Sequence, residues 1–445
     1  MLTEFFRSSR RFFAPPPPVP RLPDDDIRSL YPWYRWRALE STFLGYAAYY
    51  LVRNNIPVVT KELTGPGDIM AVTAMTYGFS KFLMGSVSDR SDARKFLAAG
   101  LLLSAVCNFA FGSTSNYYAH LSIWAVNGFA QGMGWPPCGR VMGHWFSESE
   151  RGFTFNLWNT SHNLGAGLSG YFAALAVDTW GGWQYAFYAP GAVALAAAVY
   201  LLWRVRDTPQ AVGLPPIEEF RQDYPAQADA SFDLERQLGF RELLVEKVLL
   251  NKYIWLLAIA NFFAYIVRYS MVDWGPTYLR EIKHANIVKG SLAIPAIELS
   301  GIPSTIFLGW LSDKIGGRRG IVAALCMLPI MAAFAGLVFA PAEWVSFDYL
   351  MLMAIGFFIY PALGLITIEA LDIVSKKAIG TAAGFIGLFG YIGKATSAKA
   401  VDWTIYHSAL RGTLAAWHIV LLSIVLCAAI AGILLALTWK VRPQA

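Results

Sequence analysis

The sequence has few charged residues for its length. Only 15% of its 445 residues are Asp, Glu, Lys or Arg, whereas 56% are hydrophobic. The mean hydropathy is +0.43. A soluble domain carries roughly 25% charged residues, so this chain has too few to cover a surface that faces water. The shortage excludes an ordinary soluble protein.

Cysteine is also scarce. The four cysteines, Cys107, Cys138, Cys326 and Cys427, all fall in apolar segments and lack the spacing of metal ligands or of a disulfide framework. The sequence also has no P-loop and no arrangement of a nucleophile with a base. We therefore expect no metal, no cofactor and no chemistry on a substrate, so the protein is not expected to be an enzyme.

Long apolar segments take the place of the missing charge. A run of about 20 apolar residues can cross the hydrocarbon core of a membrane. The sequence therefore predicts an all-α membrane protein with twelve transmembrane helices. The predicted segments are 36–58, 69–88, 95–113, 118–144, 152–177, 183–203, 253–281, 290–312, 320–340, 346–372, 378–401 and 412–438.

The basic residues lie mainly at the ends of these segments. They are concentrated before the first segment, in the even-numbered connections between segments two and three, eight and nine, and ten and eleven, and in the tail. This distribution indicates membrane topology and no nucleic-acid partner, despite a formal net charge of +6. By the positive-inside rule both termini are cytoplasmic. The first 30 residues show no cleavable signal peptide and are expected to form a flexible tail.

The longest polar stretch, from about Arg204 to Lys252, divides the twelve segments six and six. The predicted organisation is a cytoplasmic amino-terminal tail (1–35), a six-helix half (36–203), a cytoplasmic central loop (204–252), a second six-helix half (253–438) and a cytoplasmic tail (439–445).

Two pairs of similar sequence motifs indicate that the two halves are repeats. GSVSDRSDARK follows the second segment and GWLSDKIGGRR follows the eighth, and both read G-x-x-S-D-[RK]. YLVR (50–53) in the first segment is echoed by YIVR (265–268) in the seventh. The repeat predicts two pseudo-symmetric halves with a substrate held between them near the middle of the membrane.

The duplicated loop also resembles the loop of the major facilitator superfamily. That resemblance implies that its acidic and basic residues bind neighbouring helix ends and latch one conformation. The residues at the matching positions are Asp89, Arg90, Asp313 and Lys314.

Arg53 and Arg268 are the most informative charges. Each lies 16 residues after a basic residue at the start of its segment, which is roughly 24 Å of helix at about 1.5 Å per residue. A charge at this depth costs on the order of 2.5–3.5 kcal/mol and needs a partner. One alternative is a buried ion pair, since Asp273 lies about one turn beyond Arg268. The other is direct binding of an anion between the halves.

Guanidinium chemistry suits phosphate. Arginine offers a planar fork of donors that matches two oxygens of a tetrahedral anion and stays charged. With one arginine from each half, a bound anion would hold the halves together. Without the anion, two facing cations would oppose closure.

Further polar residues lie in the segments around this pair. Lys81 faces the pathway or extends towards an interface, and His162 is either a ligand or gating contact or a packing residue beside several glycines. Membrane tyrosines are often interface anchors, but those near the arginines are candidates for the site. The candidate tyrosines are Tyr46, Tyr50, Tyr77, Tyr265, Tyr360 and Tyr391.

The eleventh segment carries two lysines. Lys394 and Lys399 are five residues apart and project on different faces of a helix. Lys399 either contacts the non-phosphoryl end of a substrate or neutralises Asp402 at i, i+3. Glu298, in the eighth segment, either pairs with a cation or caps a kink near Pro303.

Several stretches together resemble the organophosphate:phosphate antiporters of the major facilitator superfamily, and they cover nearly the whole chain. They include GYAAYYLVRNN, YGFSKFLMGSVSDRS, QGMGWPPCGR, WNTSHNLGAG, RYSMVDWGPTYL and ELSGIPSTIFLGWLSDK. The connection between Arg53 and Lys81 is shorter than the family pattern. The eleventh segment also departs from the glycerol-3-phosphate pattern, which lacks lysines there.

The resemblance implies an antiporter of the bacterial inner membrane that exchanges an organic phosphate, expected to be glycerol-3-phosphate, for inorganic phosphate, and that works as a monomer. Hexose phosphate, phosphoglycerate and a sensor of sugar phosphate are the alternatives. It also implies that Arg53 and Arg268 bind the phosphoryl group. The residues expected to line the path are Lys81, His162, Asn159, Lys399 and the six candidate tyrosines.

Overall fold

A computed structural model describes residues 12–88, 90–223, 248–315, 318–373 and 379–438. Within these ranges all regular secondary structure is helical. The first half contains α1 (Asp24–Leu51), α2 (Pro66–Ser88), α3 (Ala93–Gly112), α4 (Tyr117–Gln131), α5 (Trp135–Trp145), α6 (Glu148–Trp180) and α7 (Tyr185–Arg204), and is followed by the short α8 (Ile217–Arg221). The second half contains α9 (Lys252–Ile282), α10 (Ile287–Ser291), α11 (Ala293–Lys314), α12 (Arg319–Phe339), α13 (Val345–Ile373), α14 (Ile379–Asp402) and α15 (Leu414–Ala436).

Each predicted segment coincides with one long helix or with two consecutive helices. The fourth corresponds to α4 and α5, which are separated at residues 132–134, and the eighth to α10 and α11. By length and composition alone, seven helical stretches in the described ranges are apolar enough to cross a membrane. The remaining long helices are α1, α2, α6 and α14, and they carry many of the polar side chains described below.

The first helix begins twelve residues before the predicted first segment. Asp24, Asp25 and Asp26 lie in its first turn, where negative charge is favourable beside the exposed N–H groups. Part of the segment expected to be a flexible tail is therefore helical. Pro32 lies inside this helix, and Ile27 and Tyr31 are buried.

Residues 12–23, which we call the amino-terminal strap, run along the first half. The Val19 N–H donates to the carbonyl of Gln210 at 3.0 Å, and the Leu22 N–H donates to the carbonyl of Gly213 at 2.9 Å. Arg21 pairs with Glu219 at 2.6 Å. The strap thus docks on the chain that follows α7.

The start of α3 is fixed by two aspartates. Asp92 caps the helix by accepting from the N–H of Arg94 at 3.0 Å. Asp207, from the connection after α7, accepts from the N–H of Ala93 at 3.0 Å and binds the guanidinium of Arg140 through two contacts of 3.1 Å. These contacts tie α3, α5 and the end of α7 together.

The predicted latch is only partly visible. Asp89 lies outside the described residues, and so does the side chain of Asp313. Arg90 is exposed. The Lys314 ammonium is also exposed and lies 4.2 Å from the centre of the Trp310 ring. The latch therefore stays a prediction.

The halves meet where α2 packs on α14 and α6 packs on α11. At the end of the molecule away from the termini, polar contacts join them into what we call the distal seal. The distal seal joins Val58, Thr60, Lys61, Glu62, Gly67 and Asp68 to Thr277, Arg280, Glu281, Lys399 and Asp402.

Candidate functional site

Arg53 lies just beyond the end of α1, although the sequence predicted helix as far as residue 58. The helix ends at Leu51 because Asn54, Asn55 and Pro57 follow closely and disfavour its continuation. The guanidinium is buried, with its Cζ 4.1 Å from the centre of the Tyr77 ring. The Arg53 guanidinium thus lies against the face of the Tyr77 ring.

One carbonyl group at this break, that of Val52, has two buried partners. The side-chain amide of Asn108 donates to the carbonyl of Val52 at 3.0 Å, and that of Asn127 does so at 3.2 Å. Asn55 in turn donates to Asn108 at 2.8 Å. This network satisfies a buried helix end and fixes the backbone that presents Arg53.

Arg268 lies inside α9 and is bound differently. Its Nη2 donates to the hydroxyl of Tyr360 at 2.8 Å and lies 3.4 Å from Oε1 of Glu298. Its Cζ is 4.3 Å from the centre of the Tyr360 ring and 4.8 Å from that of Tyr269. Its carboxylate partner is therefore Glu298 on α11, and not Asp273 as one alternative proposed.

Asp273 is paired with Lys394 instead. Its Oδ2 lies 3.5 Å from the lysine Nζ, which is 3.9 Å from the centre of the Tyr269 ring. All three side chains are buried. A cation on α14 therefore does reach the centre of the molecule, but it is Lys394 and not Lys399.

A closed circuit of aromatic side chains joins the two arginines, and we call it the aromatic cluster. On one side Tyr77 contacts Tyr391 with ring centres 4.9 Å apart, Tyr391 contacts Tyr265 at 5.6 Å, and Tyr265 contacts Tyr269 at 5.5 Å. Tyr77 belongs to the first half and the other three to the second. This side of the circuit therefore crosses the boundary between the halves.

On the other side of the circuit, His162 completes the aromatic cluster. His162 lies 6.4 Å from Tyr360 and 5.7 Å from Tyr50, and the Tyr50 ring lies 5.0 Å from Cζ of Arg53. The Nδ1 of His162 donates to the backbone carbonyl of Asn159. Because a carbonyl only accepts, the histidine proton is on Nδ1, and Nε2 remains available to a ligand.

Tyr46 supports this arrangement from behind. Its ring stacks on Trp158 at 5.0 Å and meets Tyr50 edge to face at 5.5 Å. On the opposite side of the site, a side chain at Gly301 would have its Cβ only 2.3 Å from the Tyr360 ring. Glycine at this position therefore lets Tyr360 reach Arg268.

Lys81 and Lys399 lie away from the aromatic cluster. Lys81 is exposed, with its Nζ 5.8 Å from the centre of the Trp135 ring. Lys399 is exposed in the distal seal and binds Asp68, while Asp402 accepts from the N–H of Gly67 at 3.1 Å. The two residues of the i, i+3 alternative thus contact the first half and not each other.

Sequence reasoning missed Tyr269 and gave Lys394 no role. The signal for Tyr269 was its position directly after Arg268 in YIVRYS. The signal for Lys394 was weaker, because a lysine facing the site and one facing an interface look alike without the packing of α14 on α9.

The site as a whole has a small positive charge. Arg53, Arg268 and Lys394 are basic, and Glu298 and Asp273 are acidic. With these groups ionised, the five charges leave one uncompensated cation. The arrangement suits capture of an anion between two halves that can part, and it defines a membrane carrier.

Comparisons with known proteins agree with this class. The sequence profile of the Major Facilitator Superfamily matches residues 41–398. A glycerol-3-phosphate transporter of Bacillus subtilis is 40% identical, covering 97% of this chain and 98% of its own. A probable hexose phosphate transport protein of Chlamydia pneumoniae is 36% identical over 97% of both chains. The membrane sensor protein UhpC of Escherichia coli is 34% identical over 92% of both.

A solved structure supports the fold. A bacterial homologue of the human lysosomal transporter Spinster, in an inward-facing and unoccupied conformation, superposes with a TM-score of 0.71 at 15% identity, over 92% of this chain and 98% of its own. The chain belongs to the Major Facilitator Superfamily and, within it, to the group that includes the glycerol-3-phosphate and probable hexose phosphate transporters described above. It is a multi-pass membrane transporter and not an enzyme. The predicted all-α fold of this superfamily is confirmed, and the count of twelve membrane-spanning helices stays a prediction.

Proposed function

We propose that this protein exchanges glycerol-3-phosphate for inorganic phosphate across the bacterial inner membrane by alternating access. The observation that carries the proposal is the aromatic cluster, which holds one buried arginine from each half around a shared centre. The termini are proposed to be cytoplasmic, so a closed distal seal corresponds to a conformation that opens inward. A monomer is the proposed working unit, since one chain supplies both buried arginines.

Charge explains why the exchange would be obligatory. A phosphate monoester carries about −1.5 to −2 charges at pH 7. In a site whose five charges leave one positive charge, such a ligand changes the net charge from about +1 to between about −0.5 and −1. An empty site keeps Arg53 without a carboxylate partner among the described residues. The ligand would thus provide the attraction that draws both halves together.

Glu298 is proposed to reset the site. It holds Arg268 at 3.4 Å in the present conformation. An arriving phosphoryl group offers more negative charge and several oxygens, so it competes for the same guanidinium. When the ligand leaves, the carboxylate takes its place again. Phosphate release would therefore leave Arg268 paired.

Glycerol-3-phosphate is the leading substrate because the curated relatives at 40% identity carry that name. Hexose phosphate is the first alternative, since relatives at 34–36% identity are probable hexose phosphate transport proteins. Phosphoglycerate is the second alternative. A membrane sensor would use the same site without turnover, and the sensor relatives are 34–35% identical.

Exchange in proteoliposomes tests the proposal. Uptake of labelled phosphate should require phosphate or an organic phosphate inside the vesicle and should need no ATP, because the two arginines need a ligand for closure. Vesicles without internal phosphate and vesicles without protein are the controls. Brisk uptake into phosphate-free vesicles would contradict exchange, and binding without any turnover would indicate a sensor. A panel of internal competitors would identify the organic phosphate.

A further inference from the structure

Three arginines lie together where α7 ends, beside the first turns of α1. The Nη2 of Arg37 donates to the carbonyls of Trp203 at 3.2 Å and of Arg204 at 2.9 Å. The Nη1 of Arg206 donates to the same Trp203 carbonyl at 2.9 Å. Because two guanidinium groups share one carbonyl oxygen, their positive charges lie close together.

The positive charge of this group is only partly neutralised. Arg204 pairs with Glu40 at 3.3 Å, and among the described residues no other carboxylate pairs with any of the three arginines. The carbonyls at the end of a helix supply only about half a negative charge. The Nε of Arg37, which is buried, also has no hydrogen-bond partner in the described ranges. More than one positive charge therefore remains available to an anion.

Two exposed tryptophans flank the arginines. The exposed fraction is 45% for Trp33 and 65% for Trp203. The Cζ of Arg204 lies 5.5 Å from the centre of the Trp33 ring and 5.7 Å from that of Trp203. Trp33 lies three residues before the first predicted membrane segment, and Trp203 is the last residue of the sixth. Because tryptophan is enriched where a membrane meets water, the arginines lie at the depth of the lipid headgroups.

We propose that Trp33, Trp203, Arg204 and Arg206, together with the charge of Arg37, form a binding site for an anionic phospholipid. The guanidinium groups would donate to the oxygens of the phosphodiester, and the acyl chains would pack below the two exposed tryptophan rings. Basic pockets at the membrane boundary bind anionic headgroups in this way. The exposed rings favour a lipid over a soluble anion, since they give the acyl chains an apolar surface.

This site is separate from the aromatic cluster and does not rest on the proposed exchange. Only its assignment to the cytoplasmic leaflet rests on the proposed orientation of the termini. A failure of phosphate exchange would therefore leave the lipid site untouched.

The test measures which lipid the purified protein retains. The full chain in detergent is mixed with equal amounts of phosphatidylglycerol, which is anionic, and phosphatidylcholine, which is not. Native mass spectrometry then gives the ratio of the two lipids bound. Each arginine beside an anionic headgroup should favour that headgroup about fivefold. The wild-type ratio should therefore exceed about tenfold.

Arg204→Gln combined with Arg206→Gln should lower the ratio at least about tenfold. Because this change leaves Glu40 unpaired and can impair folding, two single variants are measured as well. Arg206→Gln removes a charge whose described contacts are backbone carbonyls, and should lower the ratio about fivefold. Glu40→Gln should raise the ratio, because it removes the carboxylate that competes with the lipid for Arg204.

Arg28→Gln combined with Lys252→Gln is the matched control. Both residues are exposed near the starts of α1 and α9, at the same end of the molecule, and the change removes the same charge. Its ratio should equal that of the wild type. An equal loss in this control would overturn the proposal, because it would show general attraction to a basic surface.

Three other results would also overturn the proposal. One is a wild-type ratio near one, and another is an unchanged ratio in the double variant and in both single variants. The third is displacement of the retained lipid by glycerophosphoglycerol, which has the same headgroup without acyl chains. That displacement would show a site for soluble phosphate esters.

Discussion

At the scale of single residues, the two arginines occupy different surroundings although they follow the same YxVR pattern. Arg53 is buried against the rings of Tyr50 and Tyr77, whereas Arg268 donates to Tyr360 and pairs with Glu298. In both cases the planar guanidinium contacts a flat ring and keeps several N–H groups for a ligand. A lysine could supply the charge but not this geometry.

We therefore expect Arg53→Lys and Arg268→Lys each to nearly abolish phosphate exchange. Charge-assisted hydrogen bonds contribute roughly 1.5–3 kcal/mol each, so losing one per arginine should weaken binding about ten- to a hundredfold, and closure should suffer further. Exchange in vesicles measures the effect, and the melting temperature in detergent controls for folding. A mild Arg268→Lys beside a severe Arg53→Lys would mean that Arg268 serves mainly to pair with Glu298.

The sequence predicted the residue types of the site better than their pairing. The repeat located Arg53 and Arg268. Most of the predicted site residues contact one another in or beside the aromatic cluster. The partner of Arg268 could not be read from the chain, because Asp273 is near in sequence while Glu298 comes close only through the packing of α11 on α9. The same limit hid the pair of Lys394 with Asp273.

At the scale of helices, close packing of α11 and α13 positions Tyr360. Gly301 on α11 faces the Tyr360 ring, and a Cβ there would lie 2.3 Å from one ring carbon and 2.6 Å from another. Atoms this close overlap, and a close-packed interior offers little room for relief, so the ring would have to move. A displaced ring carries its hydroxyl away from Arg268. Glycine at this position therefore preserves the hydrogen bond between Tyr360 and Arg268.

Gly301→Ala should therefore weaken phosphate binding about tenfold, because the net loss of one hydrogen bond to a charged group is roughly 1.5–3 kcal/mol at most. The half-saturating phosphate concentration for exchange measures the change. Gly364→Ala is the matched control, since Gly364 lies on α13 near Tyr360 and a Cβ added there would meet no atom within 4 Å. Equal effects of the two alanines would show that helix propensity, and not Tyr360, is responsible.

At the scale of the whole molecule, the distal seal must open if the two halves alternate. Its best-defined contacts are those of Thr60 with Thr277, 2.5 Å apart at their hydroxyl oxygens, and of Arg280 with Glu62 at 2.8 Å. Arg280 also donates to the carbonyl of Val58 at 2.9 Å. The short connection after Arg53, which departs from the family pattern, and the start of α2 thus supply the first-half side of the seal.

Linking the seal covalently should stop transport. With Thr60→Cys and Thr277→Cys combined, an oxidant should join the two thiols and abolish exchange, and a reductant should restore it. The single variants treated in the same way are the controls, and three of the four native cysteines are buried. Undiminished exchange by the cross-linked protein would show that this end stays closed throughout the cycle.

The sequence predicted the positions of the helices well. It did not predict which end of the molecule is closed. Apolar length and the repeat were enough to place the helices within a few residues, except that α1 begins earlier and ends before Arg53. Which end is closed depends on contacts such as Lys399 with Asp68, whose residues are 331 positions apart. No local pattern encodes such a contact.

The amino-terminal strap has a consequence for how the chain is made. Arg21 and its partner Glu219 are 198 residues apart, and synthesis at about 5–20 residues per second separates their emergence by roughly 10–40 s. The strap therefore cannot dock until α7 and the residues up to Glu219 have left the ribosome, but its contacts do not involve α9. Its docking would mark the completion of the first half during biosynthesis.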